Sequence, residues 1–393
     1  MHIGVVVPYY KPAIIYGGPV HSVSALCEGL IQAGAQVTVL TTNANGAELL
    51  TVPTGQPLLV DGVQVSYYRR WGSRLAASYY YSPGLKQACQ EKLREVDVVY
   101  ICATWTYGML AGAAAAQAAG IPFVVSPRGS FMTWSMSQKP LKKRAYLALV
   151  ERRLVNGAAA IHCTSYLEQQ QLSPWGFRPP VIVIPNGLDI APFGELPARG
   201  TRRRALGVPP DGTLSLFVGR LHKMKRLDLM IAAFARVARD LPKAHLLIVG
   251  PEGDGSGKKA QEQVVGLGLS DRVHFAGLLS GTALLQAYAD ADLHVLLSHR
   301  ESFAMVVAEA MAAGLPVLVT EEIGLAEEVA RAGAGYRVAA EREGIAKSWL
   351  SLLADSELRR SMGQKGRDLV GRHFASEVVS AQMIEFLRQI ARA

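Results

Sequence analysis

The chain has 393 residues, half of them hydrophobic and 19% charged; this excludes a disordered polymer, and the length exceeds one ordinary core, so two domains of roughly 150–200 residues are expected. The net charge of +9 divides as +6 through Ile190 and +3 beyond it, with no nucleic-acid motif beside it, so nucleic acid is not expected as a partner. Cys27, Cys89, Cys102 and Cys163 stand far apart without metal-ligand spacing, which favours free thiols and a reducing cytoplasm over disulfides or a metal centre.

The opening run "MHIGVVVPYY" has no basic leader and too short an apolar stretch for a signal peptide, so it reads as a buried strand. Gly17 and Gly18 in "YYKPAIIYGGPVHSV" then open a helix over 19–33 that Gly34 closes, and "QVTVLTT" follows as the next strand. Paired glycines allow close backbone approach and a helix N-terminus favours an anion, although the same glycines also suit a plain turn. "VDVVYICA", a helix over 107–119 and "IPFVVS" repeat the pattern. The Ala/Gly-rich segment "MLAGAAAAQAAGIPFVV" is broken by Gln117 and Pro122 and falls short of the ~20 strongly apolar residues of a membrane span. Trp105 and Trp134 stand near strand ends, where aromatics stack on sugar rings, though packing is the commoner use of Trp.

A helix over 139–155 carries Lys139, Lys142, Lys143, Arg144, Arg152 and Arg153 among Leu141, Tyr146, Leu147, Leu149 and Val150. Its charged and apolar residues do not separate into clean faces. That argues against deep insertion and leaves a solvated face or contact with an anionic membrane surface. "VIVIPNGLDIAPFGELPARG" ends a buried strand in Pro-Asn-Gly and supplies the seam between a first domain, 1–188, and a second, 189–374.

Beyond the seam the alternation restarts with "LSLFVG", a helix near 226–239, "AHLLIVG", "RVHFAG", "DLHVLL", a helix around Glu309, and "PVLVT". Continuous apolar strands alternating with helices specify an α/β protein with two doubly wound parallel sheets. Ligands of such sheets bind beyond the carboxyl ends of the strands. Arg220 and Lys225 stand at one such end, a planar fork and a point charge suited to a diphosphate. "IVGPEGDGSGKK" has the glycines of a phosphate loop but the wrong spacing, with Ser256 where Lys is required. The Asp-x-Asp of "DAD" at 290–292 joins a helix end to a buried strand and reads as structural. In "HRESFAMVVAEAMAAGLPVLVT", Glu301 precedes a helix that begins at Ser302 and whose only charge is Glu309. A carboxylate in so apolar a helix needs a partner, either an internal cation or a ligand.

Glu301-Ser302-Phe303 followed at the eighth position by Glu309 resembles the E-x7-E signature of the family-4, or group 1, retaining glycosyltransferases. The likeness extends through Gly17–Gly18, "IPNGLD", "GRLHKMKRLDLMI", "IVGPEG" and "FAGLL" in the family's order. It implies a GT-B fold of two Rossmann-like domains facing across a cleft, with a C-terminal helix, about 375–393, that crosses back onto the first. It implies transfer of a sugar from a nucleoside-diphosphate sugar to a glycan or lipid-linked acceptor in polysaccharide or glycolipid biosynthesis, without a metal or other cofactor. By the same resemblance Gly17, Gly18, Gly250, Ser302, Phe303 and Glu309 bind the donor, Glu309 through its ribose. Arg220 and Lys225 neutralise the leaving diphosphate and Glu301 holds the donor sugar. Arg128 stands in "SPRG" where many relatives have His, as in exopolysaccharide-type members; a permanent cation suits acceptor or phosphate binding rather than base catalysis. Trp105, Trp134 and His21 complete the acceptor side. A cytoplasmic location, peripheral on the inner face of the membrane, is the expected setting. An epimerase of the same fold and a non-catalytic nucleotide-sugar-binding subunit are the alternatives.

Overall fold

The computed structural model describes residues 1–72 and 74–392. Within them the chain divides into two units, Met1–Gly187 with Ser376–Ala393, and Leu188–Ala375; Ala393, the last residue of the expected C-terminal helix, lies outside the described residues.

The first unit holds an eight-stranded sheet in the order Val181–Val183, Ala160–Cys163, Phe123–Ser126, Val98–Cys102, His2–Val6, Gln36–Thr42, Val63–Tyr68, Pro57–Val60. All neighbours are parallel except the last two, a hairpin pairing Val60 with Val63. The hairpin is not among the expected elements: its strand Pro57–Val60 is edge-exposed on alternate residues and carries no buried apolar run. Val181–Val183 is also an edge strand and only half-buried, so "VIVIP" is not the buried strand that its composition suggests. An edge strand lacks cover on one side whatever its side chains.

The chain progresses outward from His2–Val6 in one direction and, after returning, from Val98–Cys102 in the other. The topological switch therefore falls between these two strands. Helix Gly18–Gln32 follows the first and Tyr107–Ala119 the second. Gly17 caps the former with φ of 68°, a conformation that costs glycine little. Helix Ser376–Arg392 packs against Gly18–Gln32 so closely that a Cβ on Gly29 would meet Ser380 Oγ.

Residues 140–156 form Pro140–Tyr146, a π-helical turn Leu147–Glu151 and Arg152–Asn156. The wide turn explains the blurred faces of the sequence, because it shifts the phase between the two α-helical pieces.

The second unit is a six-stranded, wholly parallel sheet. Its order is Val273–Gly277, Ala244–Val249, Thr213–Val218, Leu293–Leu296, Val317–Thr320, Gly335–Val338. This is the 3-2-1-4-5-6 order of dinucleotide-binding folds, with its switch between Thr213–Val218 and Leu293–Leu296. One continuous core runs through both faces, from Phe217 and Phe234 to Trp349, whose Nε1 donates to Ser215 Oγ at 2.8 Å. All four cysteines are buried free thiols.

Candidate active site

The two strands flanking the second unit's switch release the chain into loops bearing the residues of interest. After Thr213–Val218 comes Arg220, exposed and without an ion-pair partner among the described residues. Lys225 closes the short helical turn Lys223–Lys225, and Arg226, in left-handed backbone at φ 52°, begins helix Leu227–Asp240. After Leu293–Leu296 comes Glu301. The Lys225 ammonium and a Glu301 carboxylate oxygen form an ion pair, with the side chains only 12% and 17% exposed. Ser298 Oγ donates to the same oxygen at 3.0 Å.

Glu301 is fixed through its backbone as well. Its N–H donates to Glu322 O at 3.1 Å and its carbonyl accepts from Gly324 at 2.9 Å, an isolated parallel bridge to Ile323. That bridge draws residues 301–303 away from helical geometry. The helix accordingly starts at Met305, not at Ser302, with Ala304 at φ 80° before it. Ser302 is half-buried in this turn, while the Phe303 ring is buried edge-on against Phe374, 5.4 Å between centroids. The Phe303 ring thus belongs to the core.

In helix Met305–Ala312, Val307, Ala308, Ala310, Met311 and Ala312 are buried, and Met305, Val306 and Glu309 share the less covered side. Glu309 has no cation beside it among the described residues; Tyr288 O–H donates to its Oε2 at 2.7 Å. Burial raises the Glu309 carboxyl above its ordinary value, and the Tyr288 bond pulls the other way. Tyr288 itself is displaced well upward by its own burial and the adjoining carboxylate. Sequence reading missed Tyr288, because the pair joins two helices 21 residues apart with no spacing rule between them.

Gly250 ends Ala244–Val249, donating to Gly277 O at 2.8 Å. A Cβ there would stand 1.9 Å from Gly219 O, so backbone contact alone demands glycine. In the loop that imitates a phosphate loop, the Glu252 carboxylate accepts from the N–H groups of Gly253 at 2.8 Å, Gly255 at 2.9 Å and Lys258 at 3.2 Å. The chain's own anion occupies that nest. Asp290 and Asp292 are likewise engaged. Buried Asp290 accepts from the amides of Gly200, Arg202 at 2.6 Å and Arg203 at 3.3 Å. Asp292 pairs with Arg199 and Arg203 and accepts from Leu214 N at 2.7 Å.

In the first unit, a Cβ on Gly18 would enter open space, and exposed His21 stands one turn along the same helix. Arg128, at φ 52°, donates to Asn186 Oδ1 and, at 3.2 Å, to the Tyr100 hydroxyl. That hydroxyl meets His162 Nδ1 at 2.6 Å, and His162 Nε2 meets Ile184 O at 2.7 Å. Burial and the Arg128 charge hold this imidazole down at about 3. Arg128 therefore belongs to an internal network with Asn186, Tyr100 and His162. Trp105, at φ 62°, packs 5.2 Å from Phe131 and 5.7 Å from Tyr146, as a half-buried packing residue. Its backbone N–H donates to Glu151 Oε1 at 3.0 Å, while buried Glu151 Oε2 has no hydrogen-bond partner among the described residues. Burial lifts the Glu151 carboxyl to about 7, against that single amide bond. Trp134 sits half-buried in the short helix Thr133–Ser137.

Residues 198–369 match the family described as glycosyl transferases group 1, and residues 17–187 match the glycosyl transferase 4-like domain. The chain belongs to the group 1 glycosyltransferases. It is 33% identical over 234 residues to D-inositol 3-phosphate glycosyltransferase of Kineococcus radiotolerans, covering 55% of this chain and 54% of the relative. It is 34% identical over 182 residues to N-acetyl-alpha-D-glucosaminyl L-malate synthase of Bacillus anthracis, 46% of each chain. The chain thus spans about half the length of the curated relatives it matches. Sucrose-phosphate synthase from Thermosynechococcus elongatus superposes with a TM-score of 0.82 at 22% identity, over 99% of both chains. HepE of Anabaena, solved with UDP-glucose, gives 0.76 at 22% identity, over 99% of this chain and 100% of the other. The fold is GT-B.

Proposed function

We propose that the chain is a retaining glycosyltransferase that moves a sugar from a nucleoside-diphosphate sugar to a glycan or lipid-linked acceptor. The observation that carries this reading is the Lys225–Glu301 pair beside exposed Arg220, on the two loops that leave the switch-point strands of the second unit. A diphosphate arriving there meets a lysine whose charge is already matched by a carboxylate. The phosphates take over Lys225 and Arg220, and Glu301 is released to accept hydrogen bonds from donor-sugar hydroxyls. Glu309, held by Tyr288 through one oxygen, takes the ribose hydroxyls with the other. As the glycosidic bond breaks, the developing diphosphate charge is stabilised by Arg220 and by Lys225, the latter held in place beforehand by Glu301. The engagement of Asp290 and Asp292 with amides and arginines supports a metal-independent reaction, because neither carboxylate is offered to an ion.

Among the described residues no helix is long and apolar enough to cross a membrane. We place the enzyme at the cytoplasmic face of a membrane, docked through 139–153, in polysaccharide or glycolipid assembly of the exopolysaccharide type. A thermal-shift screen of nucleoside-diphosphate sugars tests the central claim. A bound donor at a hundred times its Kd should add ~2.7 kcal/mol of stability. No shift with any nucleotide sugar overturns the reading.

A further inference from the structure

One carboxylate of the first unit is buried where the sugar-transfer chemistry does not use it. Glu151 ends the π-helical turn Leu147–Glu151 and is 0% exposed. It makes no ion pair among the described residues and holds a single hydrogen bond, from the Trp105 backbone N–H. Its second oxygen is buried without a hydrogen-bond partner among those residues, and so are the Thr104 hydroxyl and the Trp105 indole N–H in the opposing turn. A carboxyl group so placed is costly when ionised and tolerable when protonated.

The opposing turn is strained. Residues 103–106 leave strand Val98–Cys102 and lead into helix Tyr107–Ala119, and Ala103 and Trp105 hold φ of 71° and 62° within it. Left-handed backbone disfavours bulky residues and persists only where the surroundings enforce it. Three bonds enforce it here. Glu151 accepts from Trp105 N–H at 3.0 Å, the Thr106 hydroxyl donates to Ala103 O at 3.4 Å, and Tyr107 N–H donates to Tyr79 O at 2.8 Å. Of the three, only the Glu151 bond involves a group whose charge a proton can switch.

Glu151 belongs at the same time to the surface segment 140–156, in which Leu141 and Leu149 are 81% and 80% exposed. The Trp105 ring lies 5.7 Å from the Tyr146 ring and 6.0 Å from Lys143 Nζ, so the strained residue touches helix Pro140–Tyr146 as well as the π turn. None of the titratable or charged groups around Glu151 pairs with it. The Tyr79 and Tyr146 hydroxyls bond one another, and burial raises both. Tyr107, 6.1 Å from Tyr79, is raised in the same way. Lys143 donates to Ser135 O at 2.5 Å and Arg152 to Trp175 O at 2.8 Å.

We propose that Glu151 is a proton-operated latch: protonated, it seats segment 140–156 against the turn at 103–106, and ionised, it moves toward water and releases both. The inference rests on the membrane docking of 139–153 put forward above and supplies its regulation. A seated segment presents Leu141, Leu149 and its exposed cations already ordered, so binding to an anionic surface loses less conformational freedom. An anionic leaflet also concentrates protons at its surface, as it does other cations, which favours the seated form where docking occurs.

Hydrogen exchange of the full chain at pH 6 and pH 8, corrected for intrinsic rates and read by mass spectrometry, tests the latch. Wild-type protection should fall ~10-fold from pH 6 to pH 8 over 140–156 and over 103–106 together, the size of proton linkage to a carboxyl that titrates at about 7. Glu151→Gln keeps an acceptor for Trp105 N–H and should protect both segments alike at the two pH values. Helix Leu227–Asp240 should not change in either protein, which shows that the variant is folded. Wild-type protection that ignores pH, that changes in one segment only, or that changes equally in Glu151→Gln overturns the latch. Flotation with anionic vesicles at constant salt reads the consequence. Wild type should be recovered better at pH 6 than at pH 8, and Glu151→Gln equally at both. Recovery that ignores pH in a wild type whose exchange responds overturns the link to docking. No recovery at either pH, with the exchange as expected, supports the latch and fails the docking reading instead.

Discussion

Lys225 and Glu301, 76 residues apart, neutralise one another across the switch point of the second unit. Two functional groups that would each be costly to hold alone in a half-buried setting thereby satisfy each other until a ligand arrives. The two partners should consequently respond in opposite ways to removal. Lys225→Ala should lower uridine diphosphate affinity ~10–100-fold, the range of a lost charge-assisted bond. Glu301→Gln should leave that affinity equal or higher, since it frees Lys225, and should erase the preference for the sugar-bearing nucleotide over the bare diphosphate. Calorimetric titration of both ligands into both variants checks this.

Glu309 offers a case where stability and binding diverge. Its folded pKa is raised, so the folded state holds a proton more tightly than the unfolded chain, and its stabilising contribution is lost as pH rises above the ordinary carboxyl range. Glu309→Gln keeps an acceptor for Tyr288 and removes that cost. The variant should melt at or above the wild-type temperature at pH 8 while nucleotide-sugar affinity falls ~10-fold or more. A variant that binds the donor like wild type would make the carboxylate a structural group.

Asp290 and Asp292 have metal-site spacing without metal-site freedom. Asp290→Asn should cost ~1–3 kcal/mol of stability by disturbing the amides at the start of helix Thr201–Ala205. Uridine diphosphate affinity and sugar transfer should be the same in EDTA as in Mg²⁺. Activity lost to EDTA and regained with Mg²⁺ would return the pair to candidacy as ligands.

Glu151 makes a pH prediction in the first unit. With a folded value of about 7 against 4.5 unfolded, the folded state binds the extra proton between those limits. Stability attributable to this group is therefore full below pH 4.5 and falls by about 3 kcal/mol as pH rises through 7. Glu151→Gln retains an acceptor for Trp105 N–H and cannot ionise. The difference in melting temperature between variant and wild type should favour the variant at pH 8 and vanish by pH 4.5.

The alternation of apolar strands and helices made most of both sheets legible, though not the short strands Ala160–Cys163 and Gly335–Val338, and the strand-end rule pointed to Arg220, Lys225 and Glu301. Local signals did not reveal the contacts between distant elements. Tyr288 finds Glu309, Glu252 fills the glycine-rich nest, and the Ile323 bridge delays the Glu309 helix, each through residues that no periodic pattern links. The hairpin strand Pro57–Val60 escaped notice because an edge strand needs little hydrophobicity.

The surface along 139–153 yields the last prediction. Leu141 and Leu149 are 81% and 80% exposed, with Ala145 and Ala148 also exposed between them. Lys139, Lys142 and Arg144 are exposed around this strip. Lys143, in contrast, turns inward, donating to Ser135 O at 2.5 Å and lying 6.0 Å from the Trp105 ring. Arg152 is similarly occupied with Trp175 O at 2.8 Å. Each exposed cation near an anionic leaflet contributes ~1 kcal/mol, and each leucine that enters the headgroup boundary ~1.5–3 kcal/mol. Docking should therefore combine a salt-sensitive part with a salt-resistant part. Flotation with vesicles rich in anionic lipid should recover wild-type protein, with recovery decreasing but not vanishing as salt rises. Replacing Lys139, Lys142 and Arg144 with Gln should remove the salt-sensitive part. Leu141→Ser with Leu149→Ser should remove the remainder, and neither set should alter uridine diphosphate affinity. Equal recovery of all three proteins would leave this helix a solvated face.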